Sequence, residues 1–436
     1  MSRSFDIVIL GLTITSSWGN GHATTYRSLI RGLAARGHRV LFLEKDAPWY
    51  AENRDQPQPV GAVTEIYRTF DELNERFERA IEEASLVIVG SYIPEGVRIG
   101  EWVVSTARGK TAFYDIDTPV TLRKLAAGES EYLSPLLIRR YDMYLSFTGG
   151  PTLRLLESRY GSPMAREFYC SIDPEVYRPV SVATRWDMGY LGTYGADRQG
   201  SLDMLLLEPA RRSWSRQFIV AGSQYPDSLK WPRNVERTIH LSPREHPFFY
   251  GAQRFTLNVT RDAMKKSGYS PSVRLFEAGA CGTPVISDWW QGLDSFFQIG
   301  KEVLVAENAE DILRILRDMS QVERVAIADA ARRRVLSEHS SDHRAVQLEK
   351  YWKELNDNTL PGAPRRNGGV RRTSYGMADR LPPQRLGEDA GATSGGKTIA
   401  TADPSRLHES SGADSRDGQG DCQAPQVSSD VSRSLG

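Results

Sequence analysis

The chain has 436 residues, enough for two α/β domains, because single hydrophobic cores usually stop growing near ~250 residues. Its 55 basic and 55 acidic residues cancel, which argues against nucleic acid or an anionic membrane as the main partner. The three cysteines, Cys170, Cys281 and Cys422, lie far apart without a Cys-x-x-Cys pair, so we expect no structural disulfide and no zinc or other metal site.

The first residues, MSRSFDIVIL, have strand character and lack the longer apolar core and the cleavage site of a signal peptide. No run in the sequence approaches the ~18 apolar residues that a membrane-spanning helix needs. We therefore expect a cytoplasmic protein without a transmembrane segment.

A strand, a helix and a second strand follow one another at the start of the chain. An apolar run predicts a strand at 5–12, helical spacing begins at His22, and a second buried strand is predicted at 38–44. Such a βαβ unit closes with a right-handed crossover, so the sheet is parallel. Further strands are predicted at 84–92, 110–117 and 141–147. The pattern predicts one Rossmann-like, doubly wound domain over residues 1–175.

A polar, proline-containing segment at 171–186 interrupts this alternation and predicts a linker. The alternation then restarts, which predicts a second Rossmann-like domain at 176–335. Its strands are predicted at 187–195, 216–222, 236–242, 254–260 and 283–288, and its helices at 199–212, 243–252, 272–281 and 309–319. The predicted fold class is therefore α/β, with two doubly wound domains facing a central cleft.

Near its C-terminal end the chain changes from a predicted helix to a segment of different amino-acid composition. A final helix is predicted at roughly 321–356, and its last part, 336–356, is a candidate to fold back across the cleft. Residues 357–436 are rich in Gly, Ser, Asp, Arg and Pro and contain neither Phe nor Trp. Such a segment buries too little apolar surface to offset its chain entropy, so we predict a disordered tail.

Loops at the carboxyl edge of an open α/β sheet are where such folds bind ligands. In the first of these loops Gly19 and Gly21 precede a helix, whose unpaired N–H groups suit a phosphate or a sugar hydroxyl. A dinucleotide fingerprint would place a third glycine where Thr24 stands, yet Glu44 occupies the position of its acidic ribose ligand. NAD binding therefore stays open as an alternative for this loop.

One histidine and two aspartates are candidates for proton transfer at the cleft. His22 opens a helix, where it can act as a general base or hold a substrate hydroxyl, and the alternative is a helix-start histidine satisfied by the backbone. Asp115 and Asp117 end a strand, and strand alternation puts both carboxylates on one face. Either of them is alternatively a cap of the helix that starts near Pro119. Asp117 is nearer the loop and is the stronger candidate.

The first loop of the second half, 190–201, contains Gly192 and Arg198 before a predicted helix. Glycine amides together with a guanidinium suit a diphosphate, because they supply both donors and positive charge. The alternative for Arg198 is a solvated loop residue.

The segment 261–297 is the most informative. A loop leads to Ser272 and into a predicted helix. Four basic residues flank the start of this helix, an arrangement that suits a diphosphate: Arg261, Lys265, Lys266 and Arg274. Glu277, one turn into that helix, can accept both hydroxyls of a ribose. The alternative is a salt bridge to Arg274, three residues back.

Between about 240 and 305 the pieces LSPREHPFFYGAQRFTLNVTR, GYSPSVRLFEAGACGTPVISD and GLDSFFQIGKEVLVAEN succeed one another. There the sequence resembles the glycosyltransferases of the two-domain GT-B architecture, and within them the CgeB-like, or glycosyl transferases group 1, branch. The resemblance implies transfer of a sugar from a nucleoside-diphosphate sugar to an acceptor on the side of residues 1–175, with no further cofactor. It implies Glu277 as the ribose ligand and Arg198 as a diphosphate ligand.

One position departs from that pattern. Many related retaining enzymes carry another glutamate eight positions before the ribose ligand, on the sugar side of the site, and here that position is Tyr269. The usual contact to the donor sugar is therefore unsupported, and Asp288 is a substitute candidate.

The resulting hypothesis is a metal-independent glycosyltransferase in which Asp117 or His22 takes the proton of the acceptor. Stabilisation of the negative charge on the leaving diphosphate is assigned to the helix start near Ser272 and to three basic residues, Arg198, Arg274 and Lys265. Two alternatives stay open: a catalytically inactive sugar-nucleotide-binding or coat protein of the same fold, and a sugar-nucleotide epimerase.

Overall fold

The computed structural model describes residues 5–357. The first sheet of this part consists of β1 (Ile7–Gly11), β2 (Val40–Lys45), β3 (Ala62–Tyr67), β4 (Leu86–Gly90), β5 (Lys110–Asp115), β6 (Met143–Ser146) and β7 (Ala165–Glu167). Its strand order is β3-β2-β1-β4-β5-β6-β7, and every pairing is parallel. Its helices are α1 (His22–Ala35), α2 (Pro48–Ala51), α3 (Phe70–Glu83), α4 (Gly96–Thr106), α5 (Thr118–Ala126), α6 (Pro135–Ile138) and α7 (Pro151–Ser158).

The second sheet consists of β8 (Trp186–Leu191), β9 (Phe218–Ala221), β10 (Val235–Thr238), β11 (Gln253–Asn258), β12 (Val285–Ser287) and β13 (Leu304–Val305). Its order is β10-β9-β8-β11-β12-β13, again parallel throughout. A π-helical turn at Asp203–Leu207 separates its first two helices. The helices that follow β8 in the chain are α8 (Ala196–Leu202), α9 (Glu208–Arg212), α10 (His246–Gly251), α11 (Asp262–Ser267), α12 (Val273–Ala280), α13 (Leu293–Phe296), α14 (Ala309–Asp318), α15 (Gln321–Glu338) and α16 (Ser341–Asp357).

The apolar runs of the central strands supply the core on both faces of each sheet. In β1, Val8 and Leu10 join the cluster on one face, and Ile7 and Ile9 join the cluster on the other. Successive side chains of a strand point to opposite faces, so a strand covered by helices on both sides is apolar at every position. The same alternation divides the second sheet between two further clusters.

The predicted central strands are confirmed, whereas three edge strands were not predicted. These are β3, β7 and β13, each with a strand neighbour on one side only. The residues of β3 are half exposed, and β7 and β13 are three and two residues long. Continuous apolar runs indicate strands that are buried on both faces, and edge strands lack such runs. The strand predicted at 236–242, also at an edge, is shifted to Val235–Thr238.

The final helix, predicted as one element at 321–356, is two helices with a break at His339 and Ser340. There the backbone pairs with the linker: Ile172 N donates to His339 O at 3.0 Å, and Ser341 N donates to Ile172 O at 2.8 Å. After the break α16 packs against α1, where Gly32 lies under the Ser341 carbonyl. The last helix thus lies on the domain of the first sheet.

None of the helices within residues 5–357 is both long and apolar enough to cross a membrane. The segment predicted to be a disordered tail lies outside the described residues, except for Asp357, which ends α16.

We expect Gly32→Ala to weaken the docking of α16. A Cβ at this position would lie 2.3 Å from the Ser341 carbonyl oxygen, a backbone atom that cannot rotate away. The free energy of unfolding in urea should fall by about 1–3 kcal/mol, the usual cost of overpacking. Gly200→Ala is the matched control, because no atom lies within 4 Å of its Cβ position in α8 and alanine favours a helix. Equal stability of Gly32→Ala and the wild type would contradict the close packing.

Candidate functional site

A cavity of about 440 Å³ opens where the carboxyl ends of the two sheets face each other. Loops after β1, β4 and β5 form one side of it. Loops after β8, β9, β10 and β11, together with the start of α12, form the other. The predicted site residues that line it are Gly19, Gly21, His22, Asp117, Gly192, Arg198, Ser272, Arg274 and Glu277.

Two predicted site residues do not line the cavity. Asp115 is fully buried behind it, where its carboxylate accepts hydrogen bonds from Tyr144 and Thr121, and burial raises its pKa to about 6. Lys265 pairs with Asp288 at 2.8 Å. The roles expected for Lys265 at a diphosphate and for Asp288 at the sugar are therefore not supported, because each neutralises the other outside the cavity lining.

Glu277 is buried at the cavity wall and is held by two tyrosines. Tyr177 donates to Oε1 at 2.8 Å and Tyr250 donates to Oε2 at 3.1 Å. The pKa of each tyrosine is raised well above its usual range, chiefly by burial, so both stay neutral donors. A carboxylate oxygen has two lone pairs, and each oxygen therefore keeps capacity for a further donor from the cavity.

Arg274 does not pair with Glu277, which was the alternative offered by the sequence. Its guanidinium donates to the Leu191 carbonyl, to Asn258 Oδ1 at 2.8 Å and to Ser272 Oγ at 3.2 Å. These bonds fix a cation, 6 % exposed, in the cavity wall. A side chain at Gly192 would come within 2.9 Å of this guanidinium, so glycine leaves the space open.

Further donors surround Arg274. Arg198 contacts the Thr193 carbonyl through Nη2, while its buried Nε has no hydrogen-bond partner among the described residues. Ser272 occupies the N-cap of α12 without capping it, because its hydroxyl accepts from Arg274 instead. Leu275 N donates to the Ser272 carbonyl at 3.1 Å, so the N–H groups of Val273 and Arg274 are the ones left to an anion in the cavity.

The start of α1 differs from the expectation. Asn20 Oδ1 accepts from the His22 amide at 3.1 Å and from the Ala23 amide at 3.2 Å. The first N–H groups of this helix are thus capped and not free for a phosphate or a sugar hydroxyl. An asparagine just before a helix is a known capping signal, and the sequence prediction missed it.

The structure argues against the alternative of NAD binding by the loop after β1, because Glu44, the candidate ribose ligand, is bonded within the protein. Glu44 accepts from the amides of Ile14 at 2.7 Å and Thr15 at 3.0 Å, and from the Thr15 hydroxyl at 2.7 Å. This fully buried carboxylate therefore holds the loop after β1 and is not presented to a ribose.

His22 is the first residue of α1, and its ring stands edge-on to Tyr92 with centroids 5.5 Å apart. Its Nδ1 is buried without a partner among the described residues, so the backbone does not satisfy the ring as the alternative would require. Burial lowers the pKa of His22 to about 4, and the imidazole is neutral at pH 7.

Asp117 lies at the N-cap of α5 but makes no capping bond with its side chain. Its Oδ2 accepts from the Tyr92 hydroxyl at 3.0 Å and from Arg261 Nη1 at 3.1 Å, and Arg261 Nε pairs with Asp197 at 3.1 Å. Burial raises the pKa of Asp117, and the Arg261 cation opposes that rise. Arg261 therefore links the two sides of the cavity.

Tyr269, in the place where the resemblance expects a glutamate, packs between the two domains. It has a φ of 46°, and its carbonyl accepts from Gly149 N at 2.9 Å. A Cβ on Gly150 or Gly292 would lie 2.4 or 2.6 Å from its ring. Tyr269 does not line the cavity, so no contact to a donor sugar is assigned to it.

Sequence reasoning missed Tyr92, Tyr177 and Tyr250 and noted Arg261 only as a nearby charge. Tyr92 and Arg261 follow β4 and β11, which pair with β1 and β8 at the point in each sheet where the strand order reverses, and this topology indicates a ligand site near both residues. Tyr177 and Tyr250 lie in the linker and in α10, and no sequence signal brings them to Glu277.

Residues 198–350 match a family model described as glycosyl transferase-like. No curated protein matches the chain. The matched stretch contains Arg198, Arg274 and Glu277, and the expected resemblance to glycosyltransferases is confirmed there. The match does not single out the CgeB-like branch.

Solved structures share the fold at low identity. Sucrose-phosphate synthase from Thermosynechococcus elongatus is 16% identical with a TM-score of 0.58, covering 81% of this chain and 100% of its own. Anabaena HepE, solved with UDP and glucose, is 13% identical with a TM-score of 0.60, covering 80% and 100%. A glycosyltransferase from Rickettsia africae is 12% identical with a TM-score of 0.56, covering 82% and 100%. The predicted GT-B architecture of two Rossmann-like domains around a cleft is confirmed.

We expect Arg261→Gln to raise the pKa of Asp117, because the substitution removes the cation that stabilises the ionised carboxylate. The carboxyl carbon of Asp117, followed by NMR against pH, should titrate at a higher pH than in the wild type. Arg254→Gln is the control, since Arg254 pairs with Asp187, which does not line the cavity. An unchanged titration of Asp117 in Arg261→Gln would show that the ion pair is not formed in solution.

Proposed function

We propose that this protein is a metal-independent glycosyltransferase that moves a sugar from a nucleoside-diphosphate sugar to an acceptor hydroxyl. One observation carries the proposal: a single cavity joins fixed cationic donors on the side of the second sheet to a carboxylate and a neutral imidazole on the side of the first. The family match over residues 198–350 supports it. So do similar structures, since HepE and an α-glucosyltransferase were each solved in complex with UDP-glucose.

The diphosphate of the donor is assigned to Arg198, Arg274 and the uncapped start of α12. Arg198 Nε has no partner among the described residues, and Arg274 is held in place by neutral groups only. Both cations therefore keep their charge available for an anion. Charge-assisted donors in a partly desolvated site are the strong ones, and they can neutralise a leaving diphosphate without a metal ion.

Glu277 is assigned to the ribose. Its two oxygens already carry one tyrosine bond each, which fixes the plane of the carboxylate. The remaining lone pairs can accept two vicinal hydroxyl groups, a geometry that suits a ribose. Preorganisation of this kind reduces the entropy lost on binding.

Asp117 is assigned as the base of the transfer step. The acceptor oxygen forms a bond to the anomeric carbon, the bond from that carbon to the diphosphate oxygen breaks, and its electron pair stays with the diphosphate. The acceptor proton passes to Asp117, whose pKa is raised by burial and so lies nearer the working pH than that of an exposed aspartate. Neutral His22, with its unpartnered Nδ1, is assigned to hold the acceptor hydroxyl.

We place the reaction in the cytoplasm, and the state of the thiols supports this. Cys170 and Cys281 are free and buried, and burial raises the pKa of both, so neither behaves as a reactive thiolate.

We expect Glu277→Gln to reduce the affinity for UDP by about 10- to 100-fold, because hydrogen bonds to a charged acceptor contribute about 1.5–3 kcal/mol. Calorimetric titration measures this directly, and a panel of other nucleoside diphosphates extends it. Glutamine keeps the size of the side chain and can still bond Tyr177 and Tyr250.

Inorganic pyrophosphate is the matched ligand control, because it has no ribose and should bind both proteins equally. Glu302→Gln is the variant control, since Glu302 pairs with Arg334 and does not line the cavity. Equal losses for UDP and pyrophosphate, or none for either, would remove Glu277 from the ribose site.

The transfer itself is tested by screening nucleotide sugars for thermal stabilisation and then measuring release of the nucleoside diphosphate from each binder. We expect release that depends on an added acceptor. Binding without release of the nucleoside diphosphate would favour the inactive binding protein. Conversion of the sugar nucleotide to an epimer, again without release of the nucleoside diphosphate, would favour the epimerase.

A further inference from the structure

The guanidinium of Arg274 is oriented entirely by uncharged groups. Its Nε donates to the Leu191 carbonyl, and its Nη1 donates to Asn258 Oδ1 at 2.8 Å and to Ser272 Oγ at 3.2 Å. Its plane is also held by the Tyr190 ring, whose centroid lies 4.7 Å from Cζ. A guanidinium has five N–H groups, so the two on Nη2 remain, and neither is bonded within the described part of the chain. Because Arg274 lines the cavity, Nη2 is the nitrogen left for an anion.

Asn258, which supplies one of these acceptors, is fully buried at the end of β11 and pairs in register with Ser287 at the end of β12. Its Nδ2 donates to Ser287 Oγ at 2.9 Å and to Thr260 Oγ1 at 3.3 Å. Both hydroxyls use their own hydrogen elsewhere. Ser287 donates to the Asp288 carbonyl at 2.8 Å, and Thr260 donates to Asp288 Oδ1 at 2.7 Å. Each hydroxyl has a single hydrogen, so towards Asn258 both oxygens act only as acceptors.

This arrangement determines which end of the Asn258 amide faces Arg274. A flipped amide would turn Nδ2 towards the N–H groups of the guanidinium. It would also turn Oδ1 towards two hydroxyl oxygens that have no hydrogen to give. Only the observed orientation satisfies every donor and acceptor in this buried group.

Lys265 and Asp288, which stand outside the cavity lining, act on the cavity through this amide. The Asp288 carboxylate accepts from both the amide and the hydroxyl of Thr260 and pairs with Lys265 at 2.8 Å. The ion pair therefore fixes the direction of the Thr260 hydroxyl, and this hydroxyl in turn fixes the amide of Asn258.

The absence of charge on Asn258 has an electrostatic consequence. An amide oxygen holds the guanidinium in place and leaves its positive charge uncompensated. An aspartate at the same position would have nearly the same size, but its carboxylate would form a buried ion pair with Arg274. That internal counter-charge would compete with an anion in the cavity.

We propose that Asn258 is a positioning residue for the diphosphate of the donor. It fixes Arg274 through an uncharged oxygen, so that the cation is oriented towards the cavity while its charge stays available to the ligand. The inference rests on the proposed function in placing a diphosphate at Arg274.

The first test is the substitution Asn258→Asp in the full chain, with binding of inorganic pyrophosphate and of UDP measured by calorimetric titration. We expect the affinity for both ligands to fall by about 10- to 100-fold, because a charge-assisted contact of the ligand is lost to an internal carboxylate. The dependence of the affinity on NaCl concentration should also weaken, since one cation fewer attracts the ligand. A merely structural disturbance would lower the affinity and leave the salt dependence as it is. Wild-type affinity in Asn258→Asp would overturn the proposal.

Two further variants separate charge from packing. Asn308→Asp is the matched control, because Asn308 is the exposed N-cap of α14, aspartate caps equally well, and the residue does not line the cavity. It should bind both ligands as the wild type does. Asn258→Leu removes the acceptor without adding a charge, so it should lose less affinity than Asn258→Asp and keep the wild-type salt dependence. Equal losses and equally weakened salt dependence in Asn258→Leu and Asn258→Asp would overturn the proposal, since charge would then not be the cause.

The contact itself is tested without any ligand, by urea unfolding of Asn258→Asp, Arg274→Gln and the double variant. We expect Asn258→Asp to reduce the stability much more in the Arg274→Gln protein than in the wild type, because the buried carboxylate then has no counter-charge. Equal losses of stability in the two backgrounds would refute the contact between Asn258 and Arg274. A wild type that transfers no sugar would refute the proposed function, and it would leave the results with pyrophosphate and urea intact.

Discussion

Parallel strand pairing is the constraint on which the cleft depends. All pairings in both sheets are parallel, so the carboxyl ends of the strands of each sheet lie along one edge. β1 lies between β2 and β4, and β8 lies between β9 and β11, so at these points consecutive loops leave in opposite directions and a crevice opens. Tyr92, Arg198 and Arg261 all follow one of these strands. Their meeting in one cavity is a consequence of topology and not of their separation along the chain.

Three kinds of contact join the two halves around this crevice. At the linker the backbone of Ile172 pairs with His339 and Ser341, and the ring of His339 stacks on Phe276 at 4.2 Å. The ring of Tyr269 packs against Gly150 of the first domain and Gly292 of the second. Within the cavity the contact is ionic, through Arg261 and its two aspartates.

These contacts differ in how easily a ligand can change them. Partly exposed ion pairs contribute little net stability, because solvent competes with the partner, and the Arg261 side chain is 35% exposed. Backbone bonds and buried aromatic packing have no comparable competitor. A ligand that enters the cavity can therefore rearrange the ion pairs of Arg261, while the backbone pairing at the linker and the packing of Tyr269 keep the two domains together.

The sequence predicted the strands and helices, which depend on residues close together in the chain. It missed the pairing of side chains that lie far apart in the chain. The apolar runs of the central strands and the helix that carries Glu277 are local patterns, and the structure contains them. Whether Lys265 is free for a ligand depends on Asp288, which lies beyond the next helix and strand, and spacing does not show that the two pair. The same holds for Glu277, whose tyrosine partners lie 100 and 27 residues away.

The distribution of charge in the cavity explains why Arg198 and Arg274 remain available to an anionic ligand. Arg261 is shared by two carboxylates and is already neutralised. Neither Arg198 nor Arg274 makes an ion pair within residues 5–357, although Arg274 is almost fully buried. A buried cation without a counter-charge is costly, since carbonyl and amide oxygens replace only part of its hydration. Arg198, partly buried, and Arg274, almost fully buried, therefore both lack a counter-charge within the protein, and an anion entering the cavity, such as the diphosphate of the proposed donor, would reduce this cost.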